Sequence, residues 1–368
     1  MEWFSHFIPG NAPDGAPILS VLGKRTYVFE NGKPAREAEE QDPFLEADEY
    51  WNNGKPQSDP VKLESDLAPY KPMTDVILLA KAHVPGGRPL KQLDVGVQVG
   101  TARKVARVFG DRKAFVTGTG IGFTEPEPFV AMPLDYSRAY GGKDAKSDEG
   151  FNYAYLKNAV GRGFVVKDHP KAVQDLALPN IEDPQKLLSP LNLVVGAFDK
   201  WKHQPDPMGF GYVNKGFHPR FTFAGLPPEH WVEAEADRKH GLKKAPEIGS
   251  KPGAFPPSQA PMLNPRFFNG ASKGLSFPYL KGDETIKLAH LDPAIPQFSF
   301  SLPGVCPRAW LDVGQGPEEM AMVLHTVVVD MEKHRMTMVW RGCSYYGGLE
   351  AMKGFTNLEY GVKEDRHG

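Results

Sequence analysis

Two cysteines in 368 residues, Cys306 and Cys343, are too few for a disulfide framework, because stapled chains carry several pairs at short spacing. Both thiols are read as small buried side chains in a reducing compartment. Long apolar runs are also missing: none approaches the ~18 residues that a bilayer-crossing helix needs. The start, Met1 to Gly10, has neither a basic leader nor a sustained apolar core. A cytoplasmic location is therefore the expectation, with no membrane partner. Neither sign of charge is in excess, since 43 Lys and Arg stand against 45 Asp and Glu, so the whole-chain field gives no reason to expect nucleic acid. H-E-x-x-H and C-x-x-C do not occur, and the 11 histidines are scattered without metal spacing. Gly118-Thr119-Gly120-Ile121-Gly122 resembles a phosphate loop only in its glycines, because Glu125-Pro126-Glu127-Pro128 follows where a helix would have to open. No cofactor is expected.

What the chain has in quantity is turn-forming residues. The 35 prolines and 38 glycines favour many turns over long helices. With 40% hydrophobic and 24% charged residues the chain is ordinary for a globular protein. The stretch from Lys62 to Phe115 shows its grammar. Pro69 and Pro72 stiffen a polar lead into the apolar run Val76 to Ala82, which Pro85-Gly86-Gly87 stops. From Lys91 to Gly100 apolar and polar residues alternate, which puts Leu93, Val95, Val97 and Val99 on one face. Three or four antiparallel strands are predicted there.

Strands are predicted near 18–29, 75–83, 92–99, 102–109, 285–289, 298–302 and 321–340. Asn31-Gly32 is a two-residue hairpin signal after the first of these, and Glu332-Lys333-His334 marks a charged hairpin tip in the last. One helix is predicted at Pro227 to His240, followed by a Pro-rich surface crossing from Lys243 to Pro265. The fold class is mainly β, with antiparallel, sandwich-like sheets, long ordered loops and a few short helices. An N-terminal β region (1–125), a loop-rich middle (126–265), a C-terminal β region (266–345) and a tail (346–368) together read as one compact domain.

Candidate chemistry is sparse. Gly270-Ala271-Ser272-Lys273-Gly274 matches G-x-S-x-G, with Asp292, Asp312, His325 and His334 downstream. The nucleophile elbow needs a strand before the serine and a helix after it, and neither flank qualifies. Glu64, Asp66 and Asp75 lie near Lys71, and Asp111 and Arg112 follow at a turn. These charges suit either an acid/base site or an ion-pair cluster that fixes the strand start. Glu37 to Trp51 is acidic, with Phe44, Tyr50 and Trp51 interleaved. It reads either as a solvated loop packed on its own domain or as a partner-binding edge with those three aromatics as anchors.

An ordered set of motifs carries a family likeness: Glu64-Ser65-Asp66-Leu67-Ala68-Pro69, Lys71-Pro72, Thr74-Asp75-Val76, Val108-Phe109-Gly110-Asp111-Arg112, Ser137-Arg138-Ala139-Tyr140-Gly141-Gly142, Leu178-Pro179-Asn180-Ile181-Glu182-Asp183-Pro184, Phe267-Phe268-Asn269-Gly270-Ala271, Gly282-Asp283-Glu284 and Trp340-Arg341-Gly342. From roughly Leu19 to Gly342 the chain resembles the bacterial domain of unknown function 2169. Members are similar to adaptors, or chaperones, encoded beside spike proteins and toxic effectors of the type VI secretion system. The resemblance implies a non-enzymatic protein whose partner is an effector, a PAAR-like tip or the VgrG spike. It also makes Phe267 to Ala271 a structural stretch, which argues against Ser272 as a nucleophile. The alternative left open is a carbohydrate- or ester-active hydrolase on a β scaffold. Convergence of Asp66, Lys71, Asp75 and Arg112 on open space favours the enzyme; their closure into ion pairs favours the adaptor.

Overall fold

The computed structural model describes residues 3–11, 16–55, 58–197, 205–224, 263–346, 354–355 and 357–364. The helix predicted at Pro227 to His240 and the crossing from Lys243 as far as residue 262 lie outside the described residues. Antiparallel β-structure dominates the rest, as period-two patterning requires. In chain order the principal strands are β1 (Phe4–Asn11), β2 (Pro17–Val28), β3 (Thr74–Leu79), β4 (Gln92–Val99), β5 (Ala102–Phe109), β6 (Ile181–Glu182), β7 (Ser276–Phe277), β8 (Thr285–Ala289), β9 (Gln297–Ser301), β10 (Pro307–Asp312), β11 (Glu318–Ala321), β12 (Val323–Asp330), β13 (Arg335–Tyr345) and β14 (Glu359–Glu364). The one α-helix among the described residues, Pro170–Val173, is four residues long. No described helix is long and apolar enough to cross a membrane.

A seven-stranded sheet runs β1-β2-β13-β12-β3-β7, with Arg36–Glu37 added beside β2. A five-stranded antiparallel sheet runs β6-β5-β4-β8-β9. The two face each other across the main core. Tyr27, Leu78, Val327, Met338 and Trp340 come from the first sheet, and Leu93, Val95, Val97, Val99, Ile286 and Phe298 from the second. The seven-stranded sheet is covered on its far side too. There Leu19 and Val21 meet Ala309, Leu311 and Met320 of a three-stranded sheet, β11-β10-β14, while Ile77 and Leu79 meet Val61 and Tyr212. Burial on both faces is why the run from Val76 to Leu79 is continuously apolar, whereas β4, with one buried face, alternates.

Strands from the two ends of the chain share both sheets. β2 pairs with β13 from Ile18↔Tyr345 to Val28↔Arg335, β3 with β12 and β4 with β8. The stretch read as a C-terminal tail contributes β14, paired along β10.

Four expectations are corrected. The strand predicted over 75–83 breaks at Ala80: Lys81–His83 leaves the sheet to pair with Ala131–Pro133. β3 is not antiparallel to its long neighbour but runs parallel to β12, from Thr326↔Asp75 to Asp330↔Leu79. Asn31-Gly32 is a turn, with Gly32 at φ 76°, but not a two-residue hairpin, because β2 ends at Val28 and its return partner begins at Arg36. The longer loop serves packing: Phe29 is buried and stacks on Phe300 at 4.2 Å. The amides of Gly32 and Ala35 donate to Ser299 and Ser301 at 2.7 and 2.8 Å, which covers the edge of β9. Neither cysteine is fully buried; Cys306 is exposed and Cys343 half-buried, and both are free thiols.

A second core of Tyr140, Tyr155, Phe164, Val165, Leu178 and Leu193 lies under the loops of the middle region. Asn158 holds them, donating from Nδ2 to the carbonyls of Tyr136 and Tyr140 at 2.8 and 3.1 Å. Gly141 (φ 145°) brings its backbone so close that a Cβ would lie 2.1 Å from the Asn158 carbonyl oxygen.

Trp340, 2% exposed, meets Trp3 edge-on with ring centroids 5.3 Å apart. Trp340→Ala is expected to lower unfolding free energy by about 3–5 kcal/mol, and Leu191→Ala, at a side chain 92% exposed, by less than about 0.5 kcal/mol. Equal midpoints for the two variants in urea unfolding would contradict the two-layer core.

Candidate functional site

The charged residues from Glu64 to Asp75 lead into β3, where Pro69 and Pro72 keep the backbone extended and deliver the side chains to the seven-stranded sheet. Lys71 and Asp75 form an ion pair at 2.7 Å with side chains only 5% and 0% exposed. The Lys71 ammonium also donates to Thr326 Oγ1 at 3.1 Å. Asp75 accepts from the Gly270 amide at 2.8 Å, Asn269 Nδ2 at 3.0 Å and Ser276 Oγ at 2.7 Å. Burial alone would push its carboxyl up, but the Lys71 charge and the hydrogen bonds from Lys71, Ser276 and Asn269 hold it below its ordinary value.

The neighbouring carboxylates are also taken. Asp66 pairs with Lys24 of β2 at 2.7 Å and accepts from the Leu45 amide at 2.8 Å, while Lys24 donates to the Pro43 carbonyl at 2.8 Å. Glu64 receives a two-pronged contact from Arg220, whose Nη2 lies 3.0 Å from Oε2 and 2.7 Å from the Phe267 carbonyl. Arg341, on β13, reaches the carbonyls of Ala68 and Asp66 with Nε and Nη2. The segment is thus fastened at four points.

Asp111 and Arg112, adjacent in sequence, share no described partner with that cluster. Arg112 stacks over Phe109 at 4.0 Å and pairs with buried Glu182, whose carboxyl is raised by burial against the opposing pull of Arg112. Asp111 is more than half exposed and sits among Asn180, Arg138 and Arg162 at 2.9, 3.4 and 3.8 Å. Convergence of Asp66, Lys71, Asp75 and Arg112 on one open space does not occur. Lys24, Arg220 and Tyr212 are participants that sequence reasoning missed, and Arg341, quoted only within the Trp340-Arg341-Gly342 motif, was not tied to this cluster. Lys24 had one signal, a pair of adjacent charges, Lys24 and Arg25, inside a largely apolar strand; Arg220 had none.

Ser272 is 1% exposed. Its hydroxyl donates to the Gly209 carbonyl at 2.7 Å and accepts from Lys104 Nζ at 2.8 Å; burial brings the Lys104 amine down to about 7. His334 meets Asp292 at 2.8 Å. His325 is buried beside Tyr70 and Tyr279, without a described hydrogen-bond partner at either ring nitrogen. None of these groups forms a Ser-His-Asp arrangement. Among the described residues no His, Cys, Asp and Glu cluster could hold a metal ion.

Phe44, Tyr50 and Trp51 are each half-buried. Phe44 lines a groove of about 290 Å³ together with Leu45, Leu63, Lys62, Val328 and Lys333. Tyr50 and Trp51 instead pack against the cluster of Val61, Ile77, Leu79 and Tyr212, with the Lys62 ammonium 5.4 Å from the Trp51 ring centroid. A smaller cavity of about 90 Å³ lies beyond the Glu64 to Ala68 segment, bordered by Lys71, Tyr212, Thr326 and Arg341.

A two-layer β scaffold with buried, self-paired charges beneath a surface groove is the class of protein that emerges. The chain belongs to the bacterial family described as an uncharacterized protein conserved in bacteria (DUF2169), whose model matches residues 14–341. No curated protein and no solved structure matches it.

Removing one partner of a buried pair leaves the other charge uncompensated, so Asp75→Ala is expected to lower stability by about 3–5 kcal/mol. The pH dependence has a definite sign. Since the folded Asp75 carboxyl titrates below its ordinary 3.8, the unfolded chain takes up the proton first as pH falls. The pair's contribution is complete above that value and is lost below it. Acid titration of the wild-type and Asp75→Ala unfolding midpoints checks this: their difference should shrink below about pH 4, and a constant difference down to pH 2 would refute it.

Proposed function

We propose that this protein is a non-enzymatic adaptor, or chaperone, that binds a type VI secretion effector or its PAAR-like tip domain in the cytoplasm and helps place it on the VgrG spike. The reading draws on the likeness of the ordered motif set to such adaptors. One structural observation carries it: charges that would have to be free for acid/base work are held by protein partners, while a groove remains open beside them. Asp66 is neutralised by Lys24, Glu64 by Arg220, Asp75 by Lys71 and Asp42 by Arg335. The groove combines apolar walls (Phe44, Leu45, Leu63, Val328) with charged rims (Lys62, Glu49, Lys333). That composition suits an extended client segment, for which aromatic anchors supply energy and a polar rim supplies register.

Within this reading Phe44 is the contact residue, and Tyr50 and Trp51 support the wall from behind. Against the hydrolase alternative, Ser272 is enclosed and its hydroxyl is already committed to the Gly209 carbonyl.

The test is co-purification with the effector encoded beside this gene. Phe44→Ala is expected to weaken the complex by about 2 kcal/mol, roughly 30-fold, with an unchanged melting temperature. Tyr50→Ala and Trp51→Ala are expected to lower the melting temperature first. Absence of a complex with the wild-type chain would defeat the adaptor reading. An undiminished complex with Phe44→Ala would defeat this choice of surface.

A further inference from the structure

The groove beside Phe44 is closed in charge but not in hydrogen bonding. Of the five carboxylates around it, four meet cations of the protein: Asp42 meets Arg335 at 3.1 Å, Asp66 meets Lys24 at 2.7 Å, Asp330 meets Lys333 at 3.9 Å, and Glu64 meets Arg220. The fifth, Glu49, is balanced in sign by Lys62 at the same rim. A charged side chain seated inside would therefore find no free counter-charge, and an unpaired charge in such a space is costly. Two polar atoms remain open. Asp66 takes Lys24 and the Leu45 amide on Oδ2, which leaves Oδ1 without a described partner. The Tyr212 hydroxyl has no described partner either, and neither atom is among those sealed from solvent. Burial raises the Tyr212 phenol well above its ordinary value, so it stays protonated and can donate.

One open atom is an acceptor and the other a donor, which is the complement of a main chain offering an N–H and a carbonyl at each residue. The lining is otherwise rich in apolar side chains: Phe44, Leu45, Leu63, Leu79 and Val328. We propose that the groove takes an uncharged peptide segment, seating one apolar side chain on Leu79 and Val328, with a main-chain N–H donated to Asp66 Oδ1 and a carbonyl accepting from the Tyr212 hydroxyl. The volume of about 290 Å³ equals the liquid share of about ten waters, enough for one large side chain with its peptide group. Acidic and basic segments are rejected from the floor because every carboxylate and cation there already has its counterpart. The inference deepens the adaptor reading and rests on it for the partner being a polypeptide.

Titration of the full chain, labelled at its Leu and Val methyl groups, tests it by NMR. The probes are acetyl-Thr-Leu-Thr-amide, its counterparts with Asp or Lys in place of Leu, and the Leu peptide with N-methylated amides. The Leu peptide should shift the methyl signals of Leu45, Leu63 and Val328 saturably. The Asp and Lys peptides should bind at least about tenfold more weakly, since each would bury a charge without a partner. N-methylation removes the donor and should cost on the order of tenfold, the worth of one hydrogen bond to a charged acceptor. Tyr212→Phe removes only the hydroxyl and should weaken the Leu peptide severalfold, in a chain whose remaining methyl signals stay in place. No saturable shift at these methyls, equal binding of a charged peptide, or affinity unchanged by N-methylation or by Tyr212→Phe would overturn the assignment. Peptide binding without a co-purifying effector would defeat the adaptor reading alone, whereas an intact effector complex beside failed peptide binding would defeat this inference alone.

Discussion

The Lys71–Asp75 pair is the constraint on which the architecture depends. Asp75 sits at the start of β3, fully enclosed, and one carboxylate joins three pieces of chain: Lys71 before the strand, Asn269 and Gly270 from the loop above it, and Ser276 of β7. β3 is also the strand that runs parallel to β12, and a parallel neighbour cannot be reached by a tight turn. Nothing local fixes its register. The ion pair does so instead: Lys71 reaches Thr326, and Thr326 is the residue that pairs with Asp75 across the two strands.

From that point the charges spread outward as ties between segments. Lys24 holds the 43–45 loop through Asp66 and the Pro43 carbonyl; Arg220 closes the 213–220 and 267 loops on Glu64; Arg341 clasps the backbone at 66 and 68. Such loops carry little regular hydrogen bonding of their own, so their polar backbone groups have to be met by side chains. A scaffold rich in proline and glycine gains its fixed loop geometry in this way. The groove beside Phe44 owes its shape to the same ties.

Much of this was legible in the chain and some of it was not. Alternation at Leu93, Val95, Val97 and Val99 named both the strand and its buried face, because β4 has one wet side. The continuous run Val76 to Leu79 named a strand but not its neighbour, since periodicity is blind to which distant segment covers each face. The hairpin tip at Glu332 to His334 was visible because its turn is local. Asn31-Gly32 misled for a converse reason: the turn exists, but Phe29 is drawn into the core and lengthens the loop. For the charged cluster, Glu64, Asp66, Lys71 and Asp75 stood out by proximity in sequence. Their partners Lys24, Arg220 and Arg341 lie 42 to 275 positions away, and nothing in the sequence joins them to that cluster. Asp111 and Arg112 failed as members because adjacent residues at a turn point apart.

The account stands on the claim that these charges act as a closed structural network. A double-mutant cycle on Lys71→Met and Asp75→Leu, read by equilibrium unfolding at neutral pH, tests it most directly. Mutual compensation predicts that the double variant loses about 1–3 kcal/mol less than the sum of the single losses, since no lone charge remains in the interior. Additive losses would contradict it, showing that the two groups sit side by side without holding one another.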